Sequence, residues 1–162
     1  MTAGVMTVES AVMDPGKAAR RLVLLVEDNP DDVLLVKRAF RKAELKCPLQ
    51  VVTDGEQAVD YLAGAEKNDG AAAQALPVLV LLDYRLPRKS GLEVLQWIRS
   101  RLDLATLPVV VLTSSKEPET IRAAYLAGAN SYLLKPVDFQ RLIELVKALN
   151  SYWLGWNEAA VL

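Results

Sequence analysis

Five polar positions in this chain stand at or just past the ends of apolar runs. Glu27 and Asp28 follow the run LVLLV, Asp83 follows VLVLL, Thr113 ends VVVLT, and Lys135 follows SYLL. A lone aspartate in such a place usually caps a helix or forms a turn. Five groups of complementary type are a different matter. Three carboxylates held together repel one another and raise at least one pKa, a cost that a hard divalent cation relieves by taking oxygen ligands. Mg²⁺ is the natural ion, its octahedron completed by water and a phosphoryl oxygen. With the Lys135 ammonium and the Thr113 hydroxyl added, the set becomes a receptor for a doubly charged phosphoryl group, and one carboxylate can attack to form an acyl phosphate. Asp83 suits the nucleophile because it ends the most apolar run, where packing fixes its position. The adjacent pair Glu27-Asp28 suits the metal.

These positions converge only if the runs are strands of one sheet. Residues 22–26 read as a strand buried on both faces, and from Asp31 the spacing turns helical, with Val33, Leu34, Val36, Ala39, Phe40 and Ala43 on one face. Residues 49–52 read as a short strand and 55–65 as a helix with Ala58, Val59, Tyr61 and Leu62 inward. An Ala-, Gly- and Asn-containing loop follows over 64–75. Residues 78–83 form the third strand, 84–90 a loop with Ser90 as candidate N-cap, and Leu92, Val94, Leu95 and Ile98 the inner face of the next helix. Residues 109–113 form a strand, 118–127 a helix closed by Gly128, and 131–134 the last strand; Asp138 caps a final helix running towards Tyr152. Five strands alternating with five helices predict a doubly wound α/β fold with a parallel sheet and right-handed crossovers. In such folds ligands bind outside the carboxyl ends of the strands, which is where the five polar groups stand.

Composition narrows the chemistry. The 162 residues include no histidine, one cysteine, and 19 Lys+Arg against 20 Asp+Glu. Histidine-based catalytic units and mixed His/Cys zinc sites are thereby excluded. Cys47 has no partner for an intramolecular disulfide, which fits a reducing, cytoplasmic setting. The charge balance argues against a nucleic-acid surface, and no apolar run approaches the ~18 residues that span a bilayer. Residues 1–20 read as a flexible leader, 21–150 as one domain and 151–162 as an aromatic tail.

The stretches LVEDNPDD, LLDYRLPRKSGLEVL, VVVLTSS and AGANSYLLKPV together resemble the receiver domain of two-component response regulators, with intervals of 30 positions from Asp83 to Thr113 and 22 from Thr113 to Lys135 that match the family. The resemblance implies a flavodoxin-like fold with strand order 2-1-3-4-5. It implies that Asp83 accepts a phosphoryl group from a phosphohistidine on a partner sensor histidine kinase. Asp28 would bind Mg²⁺ directly and Glu27 through water, with the Arg85 backbone carbonyl as a further ligand. Thr113 and Lys135 would contact the phosphoryl group, and Tyr132 would be the switch aromatic that turns inward as Thr113 moves. A cis Lys135–Pro136 bond is implied as well. Ser114, Arg85 and Ser115 flank the pocket and would tune the lifetime of the phosphoryl group. The long loop, the DNPDD opening and the tail are similar to stand-alone regulators paired with bacterial phytochrome-type kinases.

Tyr152, Trp153 and Trp156 exceed what a core-facing stripe needs, and self-association through this end is expected, with packing back on the domain as the alternative. No second domain is expected after the receiver, so output would pass through protein contacts. A haloacid dehalogenase-type phosphohydrolase uses similar groups but places an aspartate two residues after its nucleophile, where this chain has Arg85. A flavin-binding module is disfavoured by the acidic first loop. A receiver without histidine takes its phosphoryl group from another protein or a small molecule.

Overall fold

The inner strands β1 (Val23–Val26), β3 (Leu79–Leu82) and β4 (Val109–Thr113) are buried at every position, as strands covered by helices on both faces must be. The edge strands β2 (Leu49–Val52) and β5 (Ser131–Leu134) are largely half-buried. All five run parallel in the order β2-β1-β3-β4-β5. Leu25 of β1 lies opposite Val51 of β2 on one side and Leu81 of β3 on the other. The chain therefore winds one way from β1 to β2 and the other way from β3 to β5. That reversal opens a crevice at the carboxyl ends of β1 and β3. The computed structural model describes residues 21–66 and 75–160; the expected leader and most of the 64–75 loop lie outside these residues.

Each helix begins where a side chain or a proline favours it. Asn29 caps α1 (Pro30–Lys42) by accepting from the N–H groups of Asp31 and Asp32, with Pro30 in the first turn. Helix α2 spans Gly55–Glu66. Ser90 and Glu93 close a reciprocal capping box on α3 (Gly91–Ser100). Helix α4 (Pro118–Leu126) ends at Gly128, whose φ of 101° is one that side chains with a Cβ rarely adopt. Asp138 caps α5 (Phe139–Leu149).

Strand alternation splits the core in two. Leu24, Val26, Val80 and Leu82 face α2 and α3, packing with Leu62, Val94 and Ile98. Val23, Leu25, Leu79 and Leu81 face α1 and α5, packing with Phe40, Ile143 and Val146. Each fully buried Leu, Ile or Val contributes ~1.5–3 kcal/mol, so the last apolar residue of each inner strand holds the polar residue beyond it in place.

Three expectations are corrected. Leu34 is half exposed, because at ~100° per residue it lies about 200° from Val36, away from the buried stripe of Val36, Ala39 and Phe40. The last helix changes character, with α5 passing into a π-helical segment at Asn150–Trp156. The longer π spacing buries Leu154 in the core at 1% exposure while Trp153, one α-helical turn beyond Leu149, packs half-buried against the same cluster. The Arg21 guanidinium donates to the Leu154 carbonyl and satisfies a backbone acceptor there. The Lys135–Pro136 bond is trans, as are all peptide bonds among the described residues; for X–Pro the trans form is intrinsically favoured by ~0.5–1 kcal/mol.

Candidate phosphoryl-receiving site

The strand ends meet as their spacing predicts. Asp83 donates its N–H to the Val26 carbonyl, Glu27 donates to Val52, and Lys135 donates to Thr113, so each polar residue is fixed by one last backbone bond to the neighbouring strand. Glu27, Asp28, Asp83, Arg85, Thr113, Ser114, Ser115 and Lys135 line one open cleft of about 620 Å³, together with Asn29, Asp32, Lys116 and Glu117. Glu27, Asp83 and Thr113 are buried, whereas Asp28 is exposed at the mouth.

Lys135 is the electrostatic centre. Its Nζ lies 2.6 Å from Glu27 Oε2, 2.8 Å from Asp83 Oδ2 and 2.9 Å from Asp32 Oδ2. Burial alone would lower the pKa of this ammonium, but hydrogen bonds to Asp83, Glu27 and Asp32 outweigh it and hold lysine charged well beyond its usual range. Glu27 behaves oppositely. Its burial raises the carboxyl to about 7, despite bonds from Lys135 and from the Asn29 N–H, and the nearby Asp83 charge adds to the rise. One ammonium does not fully compensate the carboxylates gathered around it, and a further cation would be welcome.

The residues fit such an ion. Oxygen atoms of Glu27, Asp28 and Asp83 all lie within 4.8 Å of one another, a hard all-oxygen donor set of the kind that divalent Mg²⁺, Ca²⁺ or Mn²⁺ takes. A second observation points to an oxyanion in the same place: the Ser115 hydroxyl, in a buried residue on the cleft wall, has no hydrogen-bond partner among the described residues. Buried orphans of this kind call for an explanation, and a phosphoryl oxygen or an attendant water would satisfy it.

The loop after Asp83 is locked from two sides. The Arg85 N–H donates to Asp83 Oδ1 at 3.2 Å, turning the carboxylate toward the cleft. A Cβ added at Gly91 would lie 2.1 Å from the Asp83 carbonyl oxygen, so α3 starts in contact with the backbone of Asp83 itself, and only glycine allows that approach. Arg88, at φ 68°, reaches back to Asp54 and Glu56 at the start of α2.

Two residues escaped the sequence reading. Asp32 was passed over within DNPDD, yet the Asn29 cap turns the first coil of α1 so that Asp32 meets Lys135 across 103 positions of chain. Its spacing of four from Asp28 was the available signal. Glu117, at the cleft mouth, pairs with Arg85 at 3.7 Å. Tyr132 does not line the cleft; it packs on the core, and its hydroxyl donates to the Ser115 carbonyl at 2.8 Å. The aromatics Tyr152, Trp153 and Trp156 belong to the π segment after α5, with Tyr152 and Trp156 exposed and Trp153 packed on the core.

A doubly wound parallel sheet with an acidic pocket and a lysine at its switch point defines an α/β module that handles a phosphoryl group with a divalent cation. Residues 23–147 match the response regulator receiver domain family, and the chain belongs to it. It is 41% identical over 138 residues to the probable methanogenesis regulatory protein FilR2 of Methanothrix harundinacea, covering 85% of this chain and 86% of that one. It is 34% identical over 134 residues to the response regulator Rcp1 of Synechocystis, covering 83% and 89%. The Mn²⁺-bound structure of Rcp1 aligns with a TM-score of 0.74 at 33% identity, over 87% of this chain and 99% of that one. The phosphorylated cyanobacterial phytochrome response regulator RcpA aligns with a TM-score of 0.77 at 33% identity, over 87% and 99%. The chain is thus a two-component receiver, with relatives among phytochrome-associated regulators. No helix among the described residues is long and apolar enough to cross a membrane.

Proposed function

We propose that Asp83 is the phospho-acceptor, taking a phosphoryl group from a phosphohistidine on a partner sensor histidine kinase. The observation that carries this is the Lys135 ammonium held between Asp83 and Glu27 at the carboxyl edge of the sheet. Asp83 attacks phosphorus with its carboxylate oxygen, and the bond to the donor nitrogen breaks. Lys135 and Thr113 neutralise and hydrogen-bond the transferred group, and the free Ser115 hydroxyl is placed to donate to it or to a water beside it. Asp28, Glu27, Asp83 and the Arg85 carbonyl would hold Mg²⁺, which when bound supplies positive charge to the phosphoryl oxygens. Ser114, Ser115 and Arg85 flank the approach of water and set how long the phosphoryl group survives. Phosphorylation draws Thr113 toward the new charge, and Tyr132 follows, because its hydroxyl hangs on the Ser115 carbonyl two residues further on.

The protein acts as a switch and assists only its own phosphorylation and dephosphorylation. The buried free thiol of Cys47 suits the cytoplasm. A phytochrome-type kinase is the partner its relatives favour, with output through protein contacts and no role for nucleic acid or membrane. The exposed Tyr152 and Trp156 favour a homodimer through the end of the chain.

The test is incubation with acetyl phosphate and Mg²⁺, followed by intact mass and peptide mapping. One phosphoryl group per chain is expected on Asp83 and none in Asp83→Asn. Equal labelling of that variant would overturn the assignment, and rapid turnover of many phosphate monoesters would make the protein a hydrolase instead.

A further inference from the structure

Arg85 and Glu117 stand on opposite lips of the acceptor cleft, one on the β3–α3 loop and the other at the start of α4, and they meet at 3.7 Å. Glu117 holds the N-cap position of α4 but makes no capping bond to that helix. An N-cap residue ordinarily turns its side chain onto the first free N–H groups. Here one carboxylate oxygen faces Arg85 instead, and the other is 3.5 Å from the hydroxyl of buried Thr120. The carboxylate is thus turned across the cleft mouth and braced from behind. Arg85 is in turn rooted at the acceptor, since its own N–H donates to Asp83 Oδ1.

We propose that Glu117 is a positioning residue that holds the Arg85 guanidinium away from the phosphoryl group and so sets the rate of hydrolysis; this rests on Asp83 being the acceptor. Hydrolysis adds one water across the acyl phosphate. The water oxygen bonds to phosphorus, the bond from phosphorus to the Asp83 oxygen breaks with its electron pair left on the carboxylate, and both water protons depart on inorganic phosphate as H₂PO₄⁻. In-line attack comes from the side opposite the Asp83 oxygen. Asp83 is buried at the cleft floor, so that side is the open mouth which Arg85 and Glu117 border. A guanidinium released from Glu117 pairs with the phosphoryl oxygens, for which its planar fork is well matched, and lies over the path of the water. Glu117 competes for the same guanidinium and keeps the path open.

The experiment follows decay of the phosphorylated chain after removal of acetyl phosphate, in a double-mutant cycle of Glu117→Gln and Arg85→Gln. Both side chains are exposed, so the substitutions leave folding intact, which circular dichroism verifies. Glu117→Gln is expected to lengthen the half-life about two- to fivefold, the range an exposed ion pair supplies, and to have no effect in the Arg85→Gln background. An unchanged or shortened half-life, or equal lengthening with and without Arg85, would overturn the proposal while leaving Asp83 as acceptor. Absence of any label on the unsubstituted chain would instead remove the acceptor assignment and this proposal with it.

Discussion

Replacing Lys135 by methionine removes the ammonium that faces Glu27, Asp83 and Asp32 at 2.6–2.9 Å. Stranding a buried charge in this way costs ~3–5 kcal/mol. Two effects reduce the loss: Asp32, about a third exposed, regains hydration, and Glu27 can take up a proton. Roughly 2–4 kcal/mol of destabilisation is therefore expected at pH 8. The pH dependence has a definite sign. A carboxyl whose folded pKa lies above its unfolded value stabilises the fold fully below the unfolded pKa, and that contribution is lost as pH rises through the folded pKa. For Glu27 the window runs from its ordinary 4.5 to about 7. Loss of Lys135 removes an influence that lowers this pKa, so in the variant the window extends higher and the loss deepens between pH 5.5 and 8. At pH 5.5 the destabilisation should shrink to ~1–2 kcal/mol. Urea unfolding in EDTA at the two pH values measures both quantities, and millimolar Mg²⁺ at pH 8 should raise the variant's midpoint by binding the folded state alone. Equal midpoints at pH 8, or a larger loss at pH 5.5 than at pH 8, would refute the electrostatic account.

Gly91→Ala forces a Cβ to within 2.1–2.9 Å of backbone atoms of Asp83 and Tyr84; it should cost ~1–3 kcal/mol in urea unfolding and slow labelling by acetyl phosphate, and a variant as stable as the parent would contradict the close contact. Leu154→Ala empties a site that is 1% exposed on the α1–α5 side of the core and should cost ~2–5 kcal/mol, whereas a loss below ~0.5 kcal/mol would mean that the π segment is not docked in solution.

The site was legible because a parallel sheet with helical crossovers leaves its chemistry at one edge. Apolar runs ending in Glu27-Asp28, Asp83, Thr113 and Lys135 locate that edge without coordinates, since the polar residue that ends or follows each run marks the carboxyl end of a parallel strand. The caps at Ser90 and Asp138 and the stop at Gly128 were equally readable, being bonds made within a few residues. Leu34 was misplaced because its apolar side chain was counted into the buried stripe, although two residues before Val36 it falls on the opposite face of the helix. Beyond the spacing of Asp32 from Asp28, nothing local marked the partners of Asp32 and Glu117, because an ion pair across 103 positions, or between two loops, is made only by the tertiary fold.

The sequence by itself determined the alternation of strands and helices, the identity of the acidic, hydroxyl and ammonium groups, and the edge on which they gather, because those depend on periodicity and on which residues burial rejects. Tertiary structure alone decided that Lys135 serves three carboxylates at once, that Glu27 is buried enough to titrate near neutrality, that the Ser115 hydroxyl in the cleft has no partner among the described residues, and that a π segment buries Leu154 fully in the core with Trp153 packed beside it. Each of these rests on distance and desolvation between groups far apart in the chain, quantities that exist only after the strands have been set side by side.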